Sequence, residues 1–257
     1  MTSTRTYIIV LLSGFFLFLY FASYLTSLNK RPEQVGKPTI SSDSLINEIV
    51  KKIHKKQELS LLSRQVFRER VQKKIDIYEP LIKKYAKRYA LDWRLIVAQI
   101  LQESRFEESS ISHMGAKGLM QIMPGTAREI RKEIGLKNIP RNPKSNIIGG
   151  IYHLAKQIRY FPQGTPEERL KLALAAYNCG AGHVFDAQDI SRYKKWNPWV
   201  WRDVRKGLMR LSPDYYELHL HVWPDGKPRF GYFYNYTETL TYVSYIWNYY
   251  TILKDIF

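Results

Sequence analysis

Apolar residues recur at helical spacing along most of this chain, and they predict a mainly all-α fold. In the run from Leu91 to Ser104, Ile96 and Ile100 precede Glu103 by seven and three positions, so a helix turns all three to one face. From Ile75 to Tyr89 the same period sets Tyr78, Leu81, Ile82 and Tyr85 toward a core. Thr126-Ala127-Arg128-Glu129 has capping-box spacing and predicts a short helix that stops at Gly135. Asn142-Pro143 leads to Asn146, read as the cap of a helix over Ile147 to Phe161. Thr165-Pro166-Glu167-Glu168 opens another helix, which runs to Asn178 and ends at Gly180. Glu217 to Tyr234 alternates around Pro224-Asp225-Gly226, which predicts a small β-hairpin near the C-terminus. Thr237 or Glu238 starts a last helix rich in Tyr and Trp.

The N-terminal part follows a different pattern. Tyr7 to Leu25 is uncharged, aromatic-rich and of bilayer length, with Tyr7, Tyr20 and Tyr24 near its ends. The pattern around Ala22 puts Tyr24 where signal cleavage needs a small residue, and no cysteine there offers a lipid attachment point. Residues 1–28 are therefore read as an uncleaved signal anchor, a transmembrane helix, with a cleaved signal peptide as the competing reading. Residues 29–43, with Pro32, Gly36 and Pro38, form a linker. Residues 44–75 make a basic, helical juxtamembrane region, and residues 76–257 form one domain. Arg5 flanks the span on one side and Lys30 and Arg31 on the other, so charge alone does not orient it.

Charge narrows the partners. The chain of 257 residues carries an excess of 17 positive charges, and between Lys51 and Arg88 there are 13 Lys or Arg against 4 Asp or Glu. Such a stretch is drawn to anionic lipid headgroups or wall polymers, unless it is simply a solvated helix face. No nucleic-acid module accompanies the charge, so nucleic acid is set aside. The single cysteine, Cys179, excludes an internal disulfide and reads as a small packing residue.

Glu103 is the chemical centre of the sequence. A carboxyl that shares a face with isoleucines loses solvation, and near a helix C-terminus it feels the negative end of the backbone dipole. Both effects favour the protonated form that a general acid requires. The stretch from Ser112 to Gly125 has too much Gly for a helix yet carries Leu119, Met120 and Ile122, so it reads as an ordered loop packed beside Glu103. Glu107 and Glu108 follow in a polar stretch and read as solvated surface charges.

Four motifs in order carry a family resemblance: Glu103-Ser104; Gly118-Leu119-Met120-Gln121 followed by Met123-Pro124; Ala175-Ala176-Tyr177-Asn178 with Gly180 and Gly182; and Glu238-Thr239 leading to Tyr242-Val243. Over roughly residues 76 to 257 the chain resembles the soluble-type lytic transglycosylases, which have a goose-lysozyme-like fold. It is most similar to the catalytic domain of the membrane-bound F-type group, whose solute-binding-like domain has no counterpart in these residues. The resemblance implies peptidoglycan glycan strands as substrate and cleavage without water. Glu103 would protonate the bridging oxygen and then, as a carboxylate, accept the proton of the muramyl C6 hydroxyl, leaving a 1,6-anhydro end. It further implies substrate contacts from Ser104, Ser112, Gln121, Met123, Tyr177, Asn178 and Tyr242, and a cell-envelope location with the domain outside the cytoplasm.

No cofactor is implied, and neither His113 nor His183 has a metal-ligand partner at usable spacing. Two other readings stay open: a hydrolytic muramidase of the same fold, and an inactive wall-binding or scaffolding module. The intact Glu103 speaks against the second, because a binder needs no protonatable group there. Residues 1 to about 28 are expected to remain in the mature protein, as N-terminal sequencing of membrane-extracted protein checks; a mature start near Ser27 or beyond would mean that the apolar run is a cleaved signal.

Overall fold

The computed structural model describes residues 72–257, which all lie in the unit from Gln57 to Phe257. The span over residues 7–25, the linker 29–43 and the basic region up to residue 71 lie outside the described residues. Among the described residues no helix is long and apolar enough to cross a membrane. Residues 72–88 are helical (α1), with Ile75 and Ile82 fully buried and Lys73, Lys74, Lys83, Lys84, Lys87 and Arg88 exposed. The chain continues through α2 (Trp93–Glu103), α3 (Pro124–Ile134), α4 (Pro143–Arg159), α5 (Pro166–Cys179), α6 (Ala181–Tyr193) and α7 (Trp201–Leu208). A 3-10 turn at Pro213–Tyr215 leads into α8 (Tyr216–Val222), and α9 (Tyr236–Ile256) closes the domain.

Helix α2 is the spine. Its residues Leu95 to Ile100 are all buried, and it packs along α9, which also lies against α5. Asp92 caps its N-terminus by accepting from the Arg94 amide at 3.0 Å, and Tyr250 of α9 donates to the other oxygen of that carboxylate at 3.0 Å. Helix α5 buries Leu172 through Ala176 in one unbroken run, as a helix enclosed by α4, α6 and α9 should. Helices α6 and α7 meet almost backbone to backbone: a Cβ at Gly207 would stand 2.3 Å from the Ala187 carbonyl oxygen.

Three local expectations need correction. Asn142, not Asn146, caps α4: its side chain accepts from the Ser145 amide at 2.9 Å, and Pro143 takes the first helical position. The proline fixes the start one turn early, which places Asn146 inside the helix and 1% exposed. Helix α3 likewise starts at Pro124 rather than after Thr126, and no side chain caps it, although Gly135 ends it in the left-handed conformation (φ 69°) as expected.

The hairpin over 217–234 does not form. Its first half is helix α8, and among the described residues only isolated bridges occur, none of them there. The alternation of Leu218, Leu220 and Val222 was misleading, because Leu220 is 47% exposed. The buried face is His219 with Trp223, flanked by Leu218 and Val222, which is a four-residue helical spacing. Pro224-Asp225-Gly226 does turn the chain, with the Gly226 amide donating to the Trp223 carbonyl at 3.0 Å. Asp186, fully buried on α6, then fixes the following segment by accepting from the amides of Arg229 (3.1 Å) and Phe230 (2.9 Å).

The buried Asn146 holds the loop between α2 and α3. Its Oδ1 accepts from the Met120 amide at 2.7 Å, and its Nδ2 donates to the carbonyls of Lys117 (2.8 Å) and Ile139 (3.2 Å). Asn146→Ala strands all three groups. It is expected to destabilise the domain by about 2–4 kcal/mol and to open residues 112–123 to protease, measured by denaturant unfolding and limited proteolysis.

Candidate active site

Glu103 is the last residue of α2, and the chain reverses immediately after it. Ser104 ends the helix, and Arg105 and Phe106 follow with φ of 53° and 63°, a left-handed pair that neither side chain favours. The Phe106 ring is buried in the core, which holds the turn in place. The loop then folds back over the helix end. Leu119 and Met120 are fully buried and Ile122 nearly so, and Gly118 at φ 81° lies against Asn146, where a Cβ would come within 2.6 Å of the amide nitrogen. The loop is ordered and packed as expected, with antiparallel bridges pairing Lys117 with Ile111 and Ile122.

A cleft of about 770 Å³ opens between this loop, the end of α5 and the start of α9, in the range of ligand sites of roughly 300–1,000 Å³. Glu103, Ser112, Gln121, Met123, Tyr177, Asn178 and Tyr242 all line it. Ser104 does not: its hydroxyl donates to the Leu119 carbonyl at 2.8 Å and ties the loop to α2. Ser112 accepts from the Ala116 amide at 2.9 Å, and Gln121 spends its Nε2 on the carbonyls of Ser110 (3.1 Å) and Gly118 (2.8 Å). Met123 is 41% exposed, so it forms an apolar wall rather than core. Asn178 accepts from the buried Thr239 hydroxyl at 2.7 Å, joining α5 to α9.

The electrostatics centre on Glu103. Its Oε1 accepts from the Tyr242 hydroxyl at 2.5 Å, and Gln99 donates to that same hydroxyl oxygen at 3.1 Å. Burial pushes the Glu103 carboxyl up to about 8 from an ordinary value of 4.5. Donation from Tyr242 and Gln99 pulls it down in part, while the negative charge of Glu238 adds to the rise. Tyr242 and Tyr177 are themselves held well above the usual phenol value, chiefly by burial and then by the neighbouring Glu103. Both therefore keep their protons throughout the pH range in which Glu103 titrates. Tyr177 uses its proton on the Met120 carbonyl at 2.8 Å and so braces the loop from the α5 side.

Glu238 belongs to the fourth motif but was not among the expected contacts, and Gln99 lies outside every motif. Glu238 lines the cleft from α9, one helical turn before Tyr242; its position four residues ahead of that tyrosine was the available signal. Gln99 lies four residues before Glu103 on α2, where a fully buried amide is hidden in a run of aliphatic residues. Glu107 and Glu108 lie outside the cleft and are exposed; the first accepts from Ser109 at 2.8 Å and the second from Tyr78. Cys179 is held up to about 12 by burial, so its thiol is inert. Among the described residues no group of His, Cys, Asp and Glu is arranged to hold a metal ion.

Comparison with known proteins points to the same family as the motifs. Residues 80–200 match the family model of the Transglycosylase SLT domain. The chain is 36% identical over 191 residues to a membrane-bound lytic murein transglycosylase F of Desulfosudis oleivorans, an alignment covering 74% of this chain and 39% of that protein. It is 33% identical over 229 residues to the protein of the same name in Pseudomonas fluorescens, covering 82% and 44% respectively. A solved structure of an inactive mutant of lytic transglycosylase Slt from Pseudomonas aeruginosa aligns with a TM-score of 0.45 and 26% identity, over 69% of this chain and 24% of that one. The chain thus spans less than half the length of these curated relatives. The resemblance to the soluble-type and membrane-bound F-type transglycosylases is borne out.

The raised carboxyl has a consequence for stability. An unfolded chain releases the Glu103 proton near 4.5 and the folded one near 8, so between these values the folded state holds a proton that the unfolded state gives up. Stability therefore falls as pH rises through this window. Glu103→Gln removes the penalty and is expected to raise the melting temperature at pH 8, by up to a few kcal/mol of unfolding free energy, with little effect at pH 4. Thermal unfolding at both pH values checks this.

Proposed function

We propose that the transglycosylase SLT domain carried by residues 80–200, completed by α9, makes this chain a peptidoglycan lytic transglycosylase. The observation that supports it most is one desolvated carboxyl, raised to about 8, in a cleft of about 770 Å³. At neutral pH such a group is protonated and ready to donate. Glu103 gives its proton to the oxygen bridging the muramyl C1 to the next sugar, and the C1–O bond breaks as positive character grows on the ring. The C6 hydroxyl of the same muramyl residue then attacks C1, and its proton returns to the Glu103 carboxylate. No water is consumed, and Glu103 ends protonated as it began. The attacking hydroxyl is already part of the sugar, so its effective concentration exceeds that of bulk water.

The surrounding residues serve this step in distinct ways. Tyr242 steadies the carboxylate that forms when Glu103 has given up its proton. Ser112, Gln121, Asn178 and the apolar side of Met123 line the path of the strand and bind its hydroxyl and acetamido groups. Ser104 and Tyr177 act one step back, by fixing the loop carbonyls of Leu119 and Met120. The domain works outside the cytoplasm, tethered through residues 7–25, and the exposed lysines of α1 continue the basic stretch toward an anionic surface.

A hydrolytic muramidase reading rests on Glu238, the second carboxylate in the cleft, which would position water in place of the C6 hydroxyl. The products separate the two. Digestion of purified sacculi is expected to release muropeptides with 1,6-anhydro ends, about 18 mass units lighter than hydrolytic products and inert to borohydride. Glu103→Gln is expected to lower their release by at least about 100-fold while leaving the fold intact. A pool dominated by reducible muramic acid ends would establish the hydrolase instead, and a folded protein that binds sacculi and releases nothing would establish a scaffold.

A further inference from the structure

Gln99 is fully buried beneath the catalytic carboxyl, and its amide is only half used. Its Nε2 donates to the Tyr242 oxygen at 3.1 Å, whereas its Oε1 is buried with no hydrogen-bond partner. An orphaned acceptor of this kind destabilises the fold, and an aliphatic residue of similar size would avoid that cost. The cost coincides with the one place where hydrogen-bond direction matters. Because an amide hydrogen already points at the Tyr242 oxygen, the phenol proton must point away from Gln99, and Glu103 Oε1 receives it at 2.5 Å.

We propose that Gln99 is a positioning residue that fixes the direction of a relay from Gln99 through Tyr242 to Glu103, and so keeps the acidic proton of Glu103 on Oε2, available to the substrate. The chemistry leaves two arrangements for a protonated Glu103 beside a tyrosine. In one, the tyrosine donates to Oε1 and the acid proton sits on Oε2. In the other, the acid donates its own proton to the tyrosine oxygen and has nothing to offer a glycosidic bond. A donor from Gln99 fills the tyrosine oxygen and disfavours the second arrangement. Once Glu103 has given up its proton, the same relay supports the carboxylate that must retrieve one from the C6 hydroxyl.

The inference rests on the acid role proposed for Glu103, but it also predicts behaviour that appears without substrate. The titratable groups facing this carboxyl are Tyr242 and Glu238 from α9 and Tyr177 from α5, with His113 of the loop lining the same cleft. None of them supplies a donor to the Tyr242 oxygen in place of Gln99, so its loss is not made good locally.

The test uses Gln99→Met and Gln99→Leu in the full chain. Turnover on sacculi is expected to fall about 10-fold or more with half-saturation unchanged, while the melting temperature holds or rises, because the orphaned acceptor is gone. The alkaline limb of the rate profile, and the carbon-13 titration of the Glu103 carboxyl in protein without substrate, both move to higher pH, since the carboxylate loses donor support. In a Tyr242→Phe background, Gln99→Met is expected to lower turnover far less than it does alone, because most of its effect passes through that hydroxyl and only its own donation toward Glu103 remains. Parent-like turnover and an unmoved carboxyl titration in folded variants would overturn the inference. So would a fall in turnover that follows a lost melting temperature with the titration unchanged, which is what a merely structural role gives. If the parent protein released no muropeptide, the acid role would fail on its own, and the carboxyl titration would still decide the relay.

Discussion

The site depends on one buried side chain that belongs to neither the cleft nor the helix that carries Glu103. A loop that leaves α2 after Glu103 and carries much of the cleft wall has no regular ladder to satisfy its backbone. Asn146 supplies the missing partners: one amide accepts from Met120 and donates to Lys117 and Ile139 from inside α4. Without these bonds, buried peptide groups would be left orphaned, and the loop would have to leave the core to find water. Gly118 completes the constraint, because its left-handed backbone and missing Cβ let the loop press directly onto that amide.

The burial that raises the Glu103 carboxyl depends in part on the loop being held down, and Glu238 of α9 adds to the rise. Leu119 and Met120 fill the space that solvent would otherwise reach, and Ser104 and Tyr177 bind the loop carbonyls from opposite sides. Desolvation then dominates the charge balance around Glu103, and the hydrogen bond from Tyr242 only moderates it. A stronger set of donors would have made Glu103 a permanent carboxylate, and a purely apolar one a permanent acid. The proposed role, in which Glu103 gives a proton and takes one back, is served by the intermediate case.

Helix α9 joins the fold to this chemistry. The same helix that buries Val243, Ile246 and Leu253 against the core turns Thr239 to Asn178, Tyr242 to Glu103 and Tyr250 to the Asp92 cap at the far end of α2. The register of α9 on α2 is therefore fixed by polar contacts at both ends and by packing between them. A slip of one turn would break the tyrosine contacts at both ends.

The order of helices and the inward, desolvated setting of Glu103 were legible in the sequence, because both depend on spacing along one chain. Ile96, Ile100 and Glu103 share a face at any position in space, and Pro166 after Thr165 starts a helix whatever lies beside it. Residues whose meaning depends on a neighbour far along the chain were not legible. Asn146 looked like a cap because nothing local says that a loop 26 residues earlier will lie on it. Leu218, Leu220 and Val222 alternated like a strand, and only the burial of His219 and Trp223 against the rest of the domain selected the helix. Gln99 was one polar letter in an aliphatic run until α9 brought Tyr242 to it across 143 residues. Local spacing carries backbone geometry, which the sequence determines by itself. The pairing of buried polar groups is a long-range matter of which partner arrives, and only the tertiary structure decided it.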